Sequence, residues 1–373
     1  MTTRSALFAL GSALSLLAAC DSGTSSPAPV ATTPTDSLLN LLFAPPTTAE
    51  TTLVAAQWAV RPPQVAGFQL DVEGRTNAAL PFQSQLMGFP ASWTTPDTVN
   101  TKLISHVVDG FRHHGALSTP AGSGKIPLLV FSHGGDSGLD SLEWEALLQS
   151  VKPFRDSIAV LAPSFRSEPV ELLNKPVSEG TPSPWDRDID DLRGLVRAAA
   201  KLEPRIDTTR VCLVGYSRGA GVALLAAERD PIFKSVATIA APTAFQGPWV
   251  RSIAVSLLKG ESVDLPGLDY LASTVLLPLQ AGRISMDSAR HELIRRSAVT
   301  WVRRLPESLQ FHHGYSDVTV PFDELVRLQS AMQSIGRLDA GVDATFYPGK
   351  THSTVVAPAL QSITPFIRRN LLH

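Results

Sequence analysis

Gly215-Tyr216-Ser217-Arg218-Gly219 is the stretch of this sequence best suited to nucleophilic chemistry. The apolar run Val211-Cys212-Leu213-Val214 enters it and an Ala-rich segment leaves it, so Ser217 sits where a strand turns sharply into a helix. Such a turn strains the backbone of the serine, and the residues two before and two after it come too close to neighbouring backbone to carry a Cβ. Gly215 and Gly219 meet that demand. The turn raises the hydroxyl above the carboxyl ends of the strands, and the helix N-terminus favours a developing negative charge there. A serine that merely caps the helix is the plain alternative.

A serine hydroxyl is a poor nucleophile until a base takes its proton, and the base must be held in one tautomer by an acid. The strand-like run Leu309–His313 ends at Gly314 and leads to Asp317, just ahead of Val320-Pro321. Another, Ala344–Tyr347, is followed by a turn and His352. Both side chains thus sit on loops beyond strand ends, on the same rim as Ser217. An imidazole near neutral pKa can accept the serine proton and return it to a leaving group. Asp339 and Asp343 are weaker rivals for the acid, because no strand ends just before them. Asp317 as a helix cap is the other reading, and Asp323 is better placed for that.

These stretches resemble the α/β-hydrolase superfamily, nearest to its dienelactone-hydrolase-like and prolyl-oligopeptidase-like branches. The likeness runs from about Lys125 to the C-terminus. It implies a mostly parallel central sheet flanked by helices, with Ser217, Asp317 and His352 as nucleophile, acid and base in that chain order. Ser217 stands where typical dienelactone hydrolases carry cysteine. The region before Lys125 is far too short for the β-propeller of full prolyl oligopeptidases. Phe131-Ser132-His133-Gly134-Gly135 resembles the His-Gly-Gly oxyanion motif, which implies a backbone donor at Gly135, with Gly134 the neighbouring candidate and the N–H of Arg218 the second donor. His133 is expected to support that loop through hydrogen bonds. Arg218 and Trp249 are candidates to contact substrate, with packing the other reading.

The elements that must position these residues begin at Lys125, where short apolar runs alternate with helical patterns. Strands are predicted at Pro127–Ser132, Ile158–Ala162, Val211–Gly215, Val236–Ala240, Leu309–His313 and Ala344–Tyr347. Helices are predicted over Trp185–Leu202, Gly219–Arg229 and Asp323–Ser334 from apolar spacing. Residues 246–305 interrupt the alternation with helical stretches at Val250–Leu258 and Ser285–Trp301, read as a lid insertion or as helices that simply cover the sheet. Residues 37–124 read as antiparallel strands and loops leading into the hydrolase domain of 125–373. Cys212 is expected to be a buried small hydrophobe.

The first residues read as targeting. Arg4 precedes the apolar run 5–16, shorter than the roughly 20 residues a spanning helix needs. The run ends in Leu17-Ala18-Ala19-Cys20, which resembles a bacterial lipobox. The likeness implies a signal peptide over 1–19, lipidation of Cys20, and attachment to a membrane of the cell envelope facing the periplasm or exterior. Residues 20–36, rich in Ser, Thr, Pro and Ala, read as a tether.

The chain has 373 residues, 44% hydrophobic and 18% charged, enough for a sizeable core. With 32 Lys+Arg against 34 Asp+Glu, it has no basic field to attract nucleic acid. The His113-His114 and His312-His313 pairs point to opposite faces of a strand, and no metal ligand set, phosphate loop or dinucleotide fingerprint stands out. No cofactor is expected. The leading reading is a serine hydrolase cleaving small-molecule carboxylic esters through an acyl-enzyme. A serine peptidase of prolyl-oligopeptidase type is the first alternative, and a non-catalytic binding lipoprotein on the same fold is the second.

Overall fold

A computed structural model of the chain describes residues 34–60, 65–71, 89–90, 93, 99–172, 176–263, 265–338 and 341–373. The expected signal peptide, Cys20 and the tether up to residue 33 lie outside the described residues, as does Asp339.

Three strands, β1 (Val65–Asp71), β2 (Thr101–Val108) and β3 (Phe111–Ser118), pair antiparallel at one side of a sheet. Six more follow: β4 (Ile126–Ser132), β5 (Ala159–Pro163), β6 (Ile206–Tyr216), β7 (Ser235–Ile239), β8 (Ser308–Gly314) and β9 (Val342–Tyr347). These six are parallel to one another, and the order across the sheet is β1-β2-β3-β5-β4-β6-β7-β8-β9. The fold is therefore a mostly parallel sheet flanked by helices, as the alternation of short apolar runs and helical patterns predicts. All six predicted strands are present, each with ends within a few residues of those read from the sequence, apart from β6, which begins five residues early.

Alternation along the strands builds two cores. Leu128 and Val130 of β4 and Val211 and Leu213 of β6 face one side, while Leu129, Phe131, Cys212 and Val214 face the other. All are buried, and each such aliphatic side chain contributes roughly 1.5–3 kcal/mol on burial. Cys212 is the buried small hydrophobe it was expected to be.

The helices are α1 (Pro34–Leu42), α2 (Thr48–Val60), α3 (Ser141–Ser150), α4 (Arg187–Leu202), α5 (Arg218–Arg229), α6 (Pro248–Leu258), α7 (Met286–Arg296), α8 (Asp323–Gln333) and α9 (Val356–Leu372). Buried residues of α4 and α5 join the first core, and those of α3 and α9 the second. Two expectations need correction. The tether was read to residue 36, but α1 already begins at Pro34. Residues 37–124 were read as strands and loops, yet α1 and α2 occupy their first part. A Thr47–Glu50 capping box starts α2, with the Glu50 N–H donating to Thr47 Oγ1 at 3.2 Å and the Thr47 N–H to Glu50 Oε2 at 2.8 Å.

The 246–305 segment is helical: α6, a continuous run through Leu268–Leu271, Ala272–Leu276 and Leu277–Gln280, then α7. Side-chain hydrogen bonds tie it to α1, α2 and the turn between them. The Arg290 guanidinium bonds Glu50 and the carbonyls of Leu41, Ala44 and Pro45, and Arg295 reaches Gln57. Among the described residues, none of the segment's side-chain hydrogen bonds reaches Ser217, Asp317 or His352.

Candidate active site

The turn from β6 into α5 holds Ser217 at φ 52° and ψ −123°, a region that costs a non-glycine residue about 1–3 kcal/mol. Its N–H donates to the Ile239 carbonyl at the end of β7, 2.9 Å away, which pins the strained residue to the sheet. A Cβ on Gly215 would lie 2.4 Å from the Gly219 carbonyl oxygen. On Gly219 it would lie 2.0 Å from that of Ser132. Both glycines are therefore sterically required, for the reason read from the sequence.

Asp317 follows β8 and His352 follows β9. The structure brings all three side chains together: His352 Nε2 is 2.8 Å from Ser217 Oγ, and Nδ1 is 2.7 Å from Asp317 Oδ2. The second Asp317 oxygen, Oδ1, accepts the N–H groups of Thr319 and Val320 at 3.0 and 2.9 Å. Burial pushes the Asp317 carboxyl up, but hydrogen bonds from His313 and His352 outweigh it and hold the group at about 2. An ionised carboxylate can only accept, so Nδ1 of His352 carries the proton and Nε2 presents a lone pair to the serine. Asp343, the rival acid, lies on β9 and is exposed.

The loop after β4 supplies the backbone of the expected oxyanion site. Gly135 is at φ 62°, a left-handed conformation that glycine adopts freely. Gly134 requires correction as a donor: its N–H already donates to Glu143 Oε2 at 2.9 Å. His133 Nδ1 donates to the Gly134 carbonyl at 2.9 Å, and burial pushes that imidazole down to about 3, so it stays neutral. In a trans peptide the N–H points opposite the carbonyl, so this bond turns the Gly135 N–H away from His133. The Arg218 N–H stands at the first position of α5, where a helix leaves its N–H groups without intrahelical partners.

The Arg218 side chain is not available to substrate. It is 3% exposed and turned inward. Its Nε and Nη2 donate to the two oxygens of Asp188, each at 2.9 Å. Its Nη1 donates to Glu168 and, at 3.0 Å, to the Gly135 carbonyl. Burial lowers the Arg218 pKa, but Asp188 and Glu168 outweigh it and leave the guanidinium more firmly charged than usual. Trp249 is partly buried against the first core.

Sequence reasoning missed Glu143, Glu168, Asp188 and the part played by Tyr216. Asp140 caps α3 by accepting the Glu143 N–H at 2.7 Å, so Asp-x-x-Glu at 140–143 was a legible helix start. Burial lifts the Glu143 carboxyl to about 8, with Asp140 adding to the rise. The Tyr216 hydroxyl donates to the His352 carbonyl at 3.3 Å, and its ring lies 5.2 Å from the imidazole. Beside Tyr216 and Glu143 is a cavity of about 140 Å³ whose apolar wall includes Phe89, Phe131, Leu142 and Ile239. Among the described residues no group of His, Cys, Asp and Glu side chains is arranged to hold a metal ion.

The sequence matches the model of the alpha/beta hydrolase family over residues 129–360, more than half of the chain. The chain belongs to that family. The chain shares its fold with acetyl xylan esterase 1 of Thermoanaerobacterium sp. JW/SL YS485, at TM-score 0.54 and 16% identity, over 86% of this chain and 93% of that one. It is similar to the Pyrococcus horikoshii acylaminoacyl peptidase at TM-score 0.52 and 13% identity, over 74% of this chain and 42% of the peptidase. A puromycin-hydrolyzing peptidase of Mycobacterium tuberculosis matches at TM-score 0.53 and 17% identity, over 74% and 46%. The chain thus spans less than half the length of either peptidase. No curated protein matches its sequence.

Proposed function

We propose that this hydrolase is a serine enzyme that cleaves carboxylic esters through an acyl-enzyme intermediate. The observation that carries the reading is the unbroken relay from Asp317 through His352 to Ser217, at 2.7 and 2.8 Å. Ser217 Oγ attacks the ester carbonyl as His352 Nε2 takes its proton. The tetrahedral oxyanion is met by the N–H groups of Gly135 and Arg218. His352 then passes its proton to the departing alcohol, and a water molecule activated by the same imidazole releases the acid.

Esters are favoured over peptides on chemical grounds. An alkoxide leaves more readily than an amine, so an ester site needs less leaving-group protonation and less grip on the chain. The cavity beside Tyr216 is close in size to the ~150 Å³ cavities that take up one benzene-sized group, which suits a short acyl or aryl moiety. Comparing kcat/KM over a matched series of esters and amides tests the reading. Short acyl esters are expected to be turned over and dipeptidyl amides to be poor substrates. A peptide amide that outperforms every ester would move the assignment to a serine peptidase.

A further inference from the structure

Arg218 places a full positive charge inside the protein, between two buried carboxyl groups. Stability is a poor explanation for it, because well-packed apolar residues of similar volume serve a core as well as or better than a buried ion pair. What the charge does contact is the loop that follows β4. Three consecutive peptide groups of that loop are each gripped by a side chain, two of them buried and that of Glu143 half-buried. Glu143 takes the Gly134 N–H, His133 Nδ1 holds the Gly134 carbonyl, and Arg218 Nη1 holds the Gly135 carbonyl.

We infer that the Arg218 side chain is a positioning residue that holds the Gly135 loop in register with the turn carrying Ser217, so that both oxyanion donors meet one point. The inference rests on the serine-hydrolase reading above. One residue joins the two halves of the site: its N–H is one donor, and its guanidinium fixes the backbone beside the other. Glu168 lies beside both Arg218 and His133. One of its oxygens accepts from Arg218, and the other lies 3.5 Å from Nε2 of His133, the ring that orients the Gly135 N–H. Asp188 holds the far side of the guanidinium through two parallel bonds, which prevents it from rotating. The Trp185 indole N–H donates to the Arg218 carbonyl at 3.1 Å, and the Phe165 ring lies 4.9 Å from the guanidinium carbon. Only a planar fork of five donors reaches Asp188, Glu168 and Gly135 at once; a lysine ammonium is a single point.

The test is Arg218→Lys, followed by ester kinetics and by binding of a trifluoromethyl ketone, whose adduct with Ser217 carries an oxyanion in the same place. Turnover is expected to fall about 10²-fold, comparable to the loss of one donor. KM should change by less than about threefold, and ketone affinity should weaken in step with kcat. A folded R218K enzyme with wild-type kcat and ketone affinity overturns the inference, as does a loss confined to KM. If that variant does not fold, Glu168→Ala is expected to lower kcat and ketone affinity together, with Glu168→Gln recovering most of both. The amide keeps an acceptor for Arg218 and offers a donor to His133. Wild-type activity after E168A overturns the inference equally. Wild-type protein without Ser217-dependent turnover would instead defeat the hydrolase reading itself.

Discussion

Ser217→Ala is expected to lose ester turnover by a factor on the order of 10⁶ while keeping its fold. The size of the loss follows from the geometry. His352 Nε2 is placed to take the proton of Ser217 Oγ, and that hydroxyl is the acyl acceptor of the proposed mechanism. The fold should survive because the strained turn is held by backbone, through the Ser217 N–H on Ile239 and the close passage of Gly219 beneath Ser132. An alanine at φ 52° bears about the same strain as the serine. Steady-state rates on the best ester, with a thermal melt alongside, check both halves. Turnover within tenfold of wild type in a folded variant would remove Ser217 from the mechanism.

Asp317→Asn is expected to cost about 10⁴ in kcat. The Thr319 and Val320 N–H groups both donate to Oδ1, so the asparagine must keep its carbonyl oxygen there and turn its NH₂ toward His352. That NH₂ donates to Nδ1 and forces the imidazole proton onto Nε2. The ring then offers Ser217 a proton where it should accept one. In wild type the carboxyl of Asp317, at about 2, is ionised throughout the neutral range and keeps the imidazole proton on Nδ1. Asp343→Asn, on an exposed strand position, should leave kcat near wild type. A larger loss there than at Asp317 would mean that the acid is misassigned.

Much of this site was legible because its parts carry local signatures. Glycines two before and two after a serine, between an apolar run and an Ala-rich segment, describe one turn completely, and the coordinates show the clashes those glycines avoid. Asp317 and His352 each follow a strand whose apolar run is short and bounded by glycine. Other signals were present and passed over. Asp109-Gly110, at φ 53° and 86°, closes the β2–β3 hairpin, and a two-residue Asp-Gly turn is a strong sign of one. The capping box at 47–50 and the Asp140 cap of α3 announced α2 and α3 in the same way. The grip on the oxyanion loop had no such signature. Arg218 meets Glu168 and Asp188 across 50 and 30 residues of chain, and Gly135 across 83. Pairings of that kind exist only once the sheet has brought β4, β5 and β6 side by side.

The claim on which everything else depends is that Ser217 is a nucleophile activated by His352. Reaction with a fluorophosphonate, followed by peptide mass spectrometry, tests it most directly. A single phosphonyl adduct is expected on the peptide holding Tyr216-Ser217-Arg218, formed rapidly in wild type and slowed by orders of magnitude in His352→Ala. No adduct at all, or one on another residue that His352→Ala leaves unaffected, would contradict it and would favour a binding protein built on the same fold.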